Sequence, residues 1–93
     1  MANLFPEDLI EEIRVNNDIV EVISEYVKLV KKGKNYFGIC PFHNEKTASF
    51  SVEPVKQIFN CFGCGKGGNV IHFIMGIENL DFPEALKLLA DRA

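Results

Sequence analysis

Two short runs constrain this chain more than anything else in it: Cys40-Pro41-Phe42-His43 and Cys61-Phe62-Gly63-Cys64. Each sets two soft donor side chains on either side of a two-residue gap, so a tight turn can aim both at one point. Seventeen residues lie between His43 and Cys61, enough for two short strands that fold back on each other. Three thiolates and one imidazole at this spacing make a closed tetrahedral donor set suited to one structural zinc ion. Free buried cysteines and a surface histidine would leave the doubled spacing without a cause.

A chain of 93 residues supports one small domain, residues 1–93, with a modest core. Domains of this size often need a staple, and in a reducing compartment that staple is commonly a metal. All three cysteines are consumed by the expected site and none remains for a disulfide, which points to the cytoplasm. Residues 1–8 lack the charged and apolar regions of a secretory signal, and no apolar run reaches the length of a membrane span.

The net charge of −3 conceals an asymmetry. Residues 1–27 carry seven acids and one base, a net of −6; residues 28–66 carry seven lysines and two acids, a net of +5; residues 67–93 carry a net of −2. The basic block is the one that surrounds the expected metal ligands. Such a block in an acidic chain fits a polyanion-binding face. Lysines that solvate strand edges would produce the same count.

Pro6, followed by Glu7 and Asp8, suits the start of a short helix over 6–15 with Leu9, Ile10 and Ile13 at helical spacing. Asp18-Ile19-Val20-Glu21 reads as a capping box for a second helix ending near Tyr26, with Ile19, Val20, Ile23 and Val27 on its buried stripe. Both helices are acidic outside, as a packing layer or a partner-docking surface would be. Lys31-Lys32-Gly33-Lys34-Asn35 is a polar turn between strands at Val27–Val30 and Asn35–Ile39. In the second of these, Phe37 and Ile39 share one face, Tyr36 and Gly38 the other. Further strands are expected at Ala48–Val52 and Lys56–Asn60, around a turn at Glu53-Pro54-Val55, with Ala48, Phe50 and Val52 turned from Ser49 and Ser51. Asn69 caps a third helix that Gly76 ends, and Asp81-Phe82-Pro83-Glu84 opens a fourth. The fold class is therefore α+β: a zinc ribbon whose small antiparallel sheet of three to five strands is flanked by short helices, with the metal pinning one end. The chain stops at Arg92-Ala93 with no linker after its last helix, as a piece of a longer protein would.

Two motifs resemble other chemistry. Gly63-x-Gly65-x-x-Gly68 matches a dinucleotide fingerprint, but its glycines bracket Cys64, where a metal-binding turn needs them, and the chain has no room for a doubly wound sheet. Its left-handed backbone would let amides point at the thiolate sulfurs. His43-Asn44-Glu45 with Cys61-x-x-Cys64 echoes zinc deaminases, yet Cys40 fills the position an activated water would need, and Asn60 stands where that pattern wants proline. No catalytic residue is expected. His72, alone on an apolar helix, reads as a packed helix residue. A sheet face carrying Lys34, Lys46 and Lys56, with Tyr36 and Phe59 between them, would suit single-stranded nucleic acid: lysine meets phosphate and rings stack on bases. Phe37 and Phe50 read as core from strand parity, while Phe59 and Phe62 fit either role.

The runs Cys40-Pro41-Phe42-His43-Asn44-Glu45-Lys46-Thr47, Ser49-Phe50-Ser51-Val52 and Cys61-Phe62-Gly63-Cys64-Gly65, with Gly68 and Phe73, closely resemble the N-terminal zinc-binding domain of bacterial DnaG-type DNA primases. The resemblance covers nearly the whole chain. Ala48 stands where the family usually has proline, Asn60 where an aromatic or histidine is common, and Asn69 where an aspartate cap is frequent; none of these removes a ligand. The resemblance implies a zinc ribbon that engages single-stranded DNA template and helps initiate RNA primers at the replication fork. It implies metal binding at Cys40, His43, Cys61 and Cys64, and template contact at Lys34, Lys46 and Lys56. Nucleotidyl transfer, with divalent ions such as Mg2+, would belong to a polymerase domain that follows, and a C-terminal domain would dock on the replicative helicase. These residues alone would be non-catalytic. A different class remains open: a zinc-stapled interaction module whose acidic helices dock on protein without DNA contact. A zinc-linked redox switch would require easily oxidised thiolates.

Overall fold

A computed structural model describes residues 6–42 and 49–92. The expected α+β class is found: a five-stranded antiparallel sheet with four short helices. Helix α1 (Glu7–Asn16) follows Pro6, and α2 (Ile19–Ser24) starts at Asp18, whose carboxylate accepts from the amides of Val20 and Glu21. Three strands follow, β1 (Val30–Lys32), β2 (Asn35–Gly38) and β3 (Phe50–Glu53). Then come β4 (Ile58–Cys61) and the short β5 (Gly67–Gly68). Helices α3 (Val70–Ile77) and α4 (Phe82–Arg92) close the chain. The strands lie in sequence order, so the sheet is a plain meander without a crossover.

Among the described residues, the fully buried large side chains all belong to one cluster between the sheet and its helices. Phe50, Val52 and Phe59 from the sheet meet Ile19 and Ile23 of α2, Phe73 and Ile74 of α3, and Leu86 and Leu89 of α4. Burying each such side chain is worth about 1.5–3 kcal/mol against leaving it in water. Phe73 is set edge-on to Phe59, Tyr26 and Phe42, with ring centroids 5.6 Å apart in each case.

Several boundaries differ from those the sequence suggests. Val27–Leu29 does not form a strand. Val27 is buried and Leu29 packs on the core, so β1 begins at Val30 and takes in Lys31 and Lys32. The hairpin loop shrinks to Gly33-Lys34, with Gly33 at φ +66 in the conformation glycine adopts most cheaply. The β3–β4 turn runs later, over Pro54–Gln57, and Gln57 takes the left-handed backbone (φ 56). Gly76 does not end α3; it lies inside the helix, where an added Cβ would sit 2.7 Å from the Phe42 ring. The left-handed residue that ends the run is Asn79 (φ 56). Strand β5 was not expected, because Gly-Gly carries no strand pattern.

The parity of β2 is also reversed. Tyr36 pairs with Val52, and Val52 with Phe59, so Tyr36 shares the helix-covered face. Phe37 lies on the opposite, outer face, in a row with Val30, Ser51, Asn60 and Gly67. Both residues are aromatic, so alternation alone could not choose between them. The choice is fixed at Gly38, which pairs with Phe50 and lets segment 27–29 cross it: a Cβ there would sit 2.7 Å from the Lys28 carbonyl oxygen. Ser51 lies on the outer face as expected but is only 5% exposed, and its hydroxyl donates to the Asn60 carbonyl at 3.3 Å.

Candidate metal centre and the faces of the sheet

Cys40 lies just beyond β2, Cys61 ends β4, and Cys64 sits in the turn toward β5. Strand register carries all three to the same end of the sheet, because Gly38 and Cys61 both pair with Phe50. Their sulfurs lie within 4.8 Å of one another, with Cys40 Sγ and Cys64 Sγ 3.8 Å apart. Zinc–thiolate bonds of about 2.3 Å at tetrahedral angles put sulfurs about 3.8 Å apart, so the cluster fits that ion. Cys40 and Cys61 are buried and Cys64 is exposed.

The turn after β4 is tightened by Gly65 N–H donating to Cys61 O and Cys61 N–H donating to Lys66 O, both at 2.8 Å. Gly65 takes φ +79, as expected of a glycine in a metal-binding turn. Burial pushes the Cys61 thiol up, but the amides of Cys64 and Gly63 and the Cys40 thiol outweigh it and bring its pKa down to about 7. Cys40 goes the other way. Burial raises it to about 12, against the Phe42 amide, which donates to its sulfur at 3.4 Å. Zinc takes cysteine as the thiolate, so a divalent ion bound here would favour the deprotonated form of all three sulfurs.

The expected fourth ligand, His43, lies outside the described residues, as do Lys46, Glu45 and Ala48. His72 is placed elsewhere. Its Nδ1 accepts from the Asn69 amide at 3.1 Å while Asn69 Oδ1 accepts from the amides of Ile71 and His72. It completes a capping box at α3, a role its apolar neighbours did not advertise.

The proposed nucleic-acid contacts are not all brought together. Lys34 and Lys56 are exposed in the β1–β2 and β3–β4 turns, which the register places at the same end of the sheet, away from the cysteines. Lys56 Nζ is 3.9 Å from Glu53 Oε1. Phe59 does not belong with them. It is 3% exposed, stacked on Phe50 at 5.6 Å, and pairs with Val52 on the covered face, so its ring cannot reach a base. Tyr36 packs on the core from that same face. The aromatic that lies on the outer face is Phe37, and only the register reveals it. Phe62 is 72% exposed in the metal turn.

A meander sheet with a three-cysteine cluster at one end and helices on one face defines a zinc ribbon. The comparisons with known proteins narrow that class. The family described as CHC2 zinc finger, the DnaG-type zinc ribbon, matches residues 5–93. The chain is 60% identical to a DNA primase of Geobacillus stearothermophilus over 93 residues, all of this chain and 16% of that protein. It is 52% identical to a DNA primase of Pseudomonas aeruginosa, again over all of this chain and 14% of that protein. A crystal structure of the Aquifex aeolicus primase, comprising zinc-binding and RNA polymerase domains, superposes with a TM-score of 0.86 at 52% identity, over 90% of this chain and 21% of that one. This chain belongs to the CHC2 zinc-finger family and corresponds to the zinc-binding domain of DnaG-type primases. It spans only about a sixth of the length of the relatives it matches. No described helix is long and apolar enough to cross a membrane.

Proposed function

We propose that residues 1–93 form one zinc-binding domain, the N-terminal part of a longer cytoplasmic primase, that binds single-stranded DNA template and assists initiation of RNA primers. Cys40, His43, Cys61 and Cys64 hold the zinc, which fixes the end of the sheet and takes no part in bond making. Lys34, Lys46 and Lys56 contact template phosphates. Nucleotidyl transfer, with Mg2+, takes place in a polymerase domain of the same protein, and a C-terminal domain meets the replicative helicase at the fork.

The observation that carries this reading is the division of the sheet. Its core side chains and helices occupy one face, leaving the row Val30, Phe37, Ser51, Asn60 and Gly67 on the other. Lys32 at the end of β1, Lys34 in the β1–β2 turn and Lys56 in the β3–β4 turn are exposed. A lysine-edged, helix-free face suits a flexible polyanion. The test is a salt titration of oligothymidylate binding to the zinc-loaded protein. Affinity should fall as salt rises, and Lys34→Ala and Lys56→Ala should each weaken it with a shallower salt slope. Binding that is absent, or indifferent to salt and to both lysines, would leave the protein-interaction module as the better account.

A further inference from the structure

Phe42 stands two residues after Cys40, in the turn that follows that ligand. Its backbone amide donates to Cys40 Sγ at 3.4 Å. Its ring lies against Phe73, Phe59 and Phe50, with centroids 5.6, 5.9 and 6.4 Å away. Those three side chains are 3% exposed or less and close-packed, so the Phe42 ring cannot recede among them. The Lys66 ammonium, just beyond the second cysteine pair, stands 5.6 Å from the ring centroid. Lys66 O also accepts from the Cys61 amide. One aromatic side chain thus links the two cysteine-bearing turns to each other and to α3.

On the α3 side the ring meets Gly76. A Cβ built there would lie 2.7 Å from Phe42 Cε1, 3.3 Å from Cζ and 3.5 Å from Cδ1. The backbone does not ask for glycine at this position: Gly76 lies within α3 and outside the left-handed region. Helix propensity alone would favour alanine. What requires glycine is the ring. A methyl group at position 76 would press on a side chain already hemmed in by three others. The part free to yield is the turn, which would carry the Phe42 amide away from the Cys40 sulfur.

We propose that Gly76 is a positioning residue of the metal centre: by leaving room for the Phe42 ring, it sets where the Phe42 amide and the Cys40 sulfur stand to receive the ion. Groups that orient metal ligands without touching the metal are commonly worth about 10–100-fold in affinity. The inference rests on the zinc reading above and extends it to a helix residue that meets the metal centre only through Phe42. Helix α3 thereby belongs to the metal centre, although none of the expected ligands lies on it.

The test is zinc affinity, measured by competition with a chromophoric chelator. Beside it stands the visible absorption of cobalt(II) bound in place of zinc, which reports the geometry of the donor set. Gly76→Ala should weaken zinc binding by about tenfold or more and shift the cobalt bands. Phe42→Leu keeps an apolar side chain but lacks the Cε1 and Cζ atoms that the new methyl would meet. In that background Gly76→Ala should change the affinity by no more than about twofold and leave the bands where Phe42→Leu alone puts them. An equal loss in both backgrounds, or affinity and bands unchanged in Gly76→Ala, overturns the proposal. If Gly76→Ala fails to fold, the double variant decides: zinc binding at the level of Phe42→Leu upholds the proposal, and failure to bind overturns it. No zinc binding by the unaltered protein overturns the zinc reading along with it.

Discussion

At the scale of single residues, the chain shows which positions announce their role and which do not. Cys40, Cys61 and Cys64 were legible because ligand spacing is a local property, and the fold brings them to one point. Gly38 was not. Its need for a missing side chain arises from the Lys28 carbonyl, which only tertiary structure brings near. Tyr26 is a similar case. Its hydroxyl donates to Glu78 Oε2 at 2.8 Å, and its ring meets Phe73 edge-on. Partial burial, then the hydrogen bond and charge of Glu78, raise its pKa from 10.0 to about 12. The neutral phenol is thus the form that the fold favours. This contribution to stability is present in full below the unfolded value near 10 and is lost as pH rises through about 12. Titration of tyrosine absorbance near 295 nm should therefore contain a late component near pH 12 that vanishes in Tyr26→Phe. A Tyr26→Phe protein that keeps the late component would assign it to another group.

At the scale of elements, the helix starts were legible and the strand faces were not. Asp18, Asn69 and Asp81 each accept from amides two or three residues ahead, a chemistry written entirely in adjacent sequence. The faces of β2 depended on register with β3, and β5 exists only because β4 offers it an edge. Gly68 is demanded by the start of α3 that follows: it takes φ +144, and a Cβ on it would lie 2.6 Å from the His72 ring. Gln57 joins the two kinds of element. Its amide nitrogen donates to Asp18 Oδ1 at 2.9 Å and to Pro54 O at 2.7 Å, and its oxygen accepts from Ile19 N–H at 2.9 Å. One side chain thereby ties the β3–β4 turn, which carries Lys56, to the start of α2. Gln57→Ala leaves the Ile19 amide and the Pro54 carbonyl without this partner, in a part-buried site. It should cost about 1–3 kcal/mol in urea unfolding. It should also weaken strand binding less than Lys56→Ala does. A cost within error of zero would show that water replaces the side chain at no loss.

At the scale of the whole molecule, the sheet has two unlike ends. The cysteines gather where β2 and β4 finish, and the chain leaves that cluster directly into β5 and α3. The turns bearing Lys34 and Lys56 close the other end, and Gln57 ties the second of them to the start of α2 rather than to the cluster. Zinc binding to the folded chain alone must stabilise it by mass action. The gain is about 2.7 kcal/mol at a free zinc concentration 100 times its Kd. For a domain of this size that corresponds to a shift of roughly 10–20 °C in thermal midpoint. A strong chelator should lower the midpoint by that order, and added zinc should restore it. The loss should be uneven. Amide exchange should quicken first at Ile39–Phe42 and at Cys61–Gly68. The capped start of α2 and the turn at Pro54–Gln57 should hold protection longer, since their hydrogen bonds do not pass through the cluster. A uniform loss of protection across both ends would mean that the domain unfolds as one unit once the ion leaves. The metal would then hold the whole fold rather than one end of its sheet.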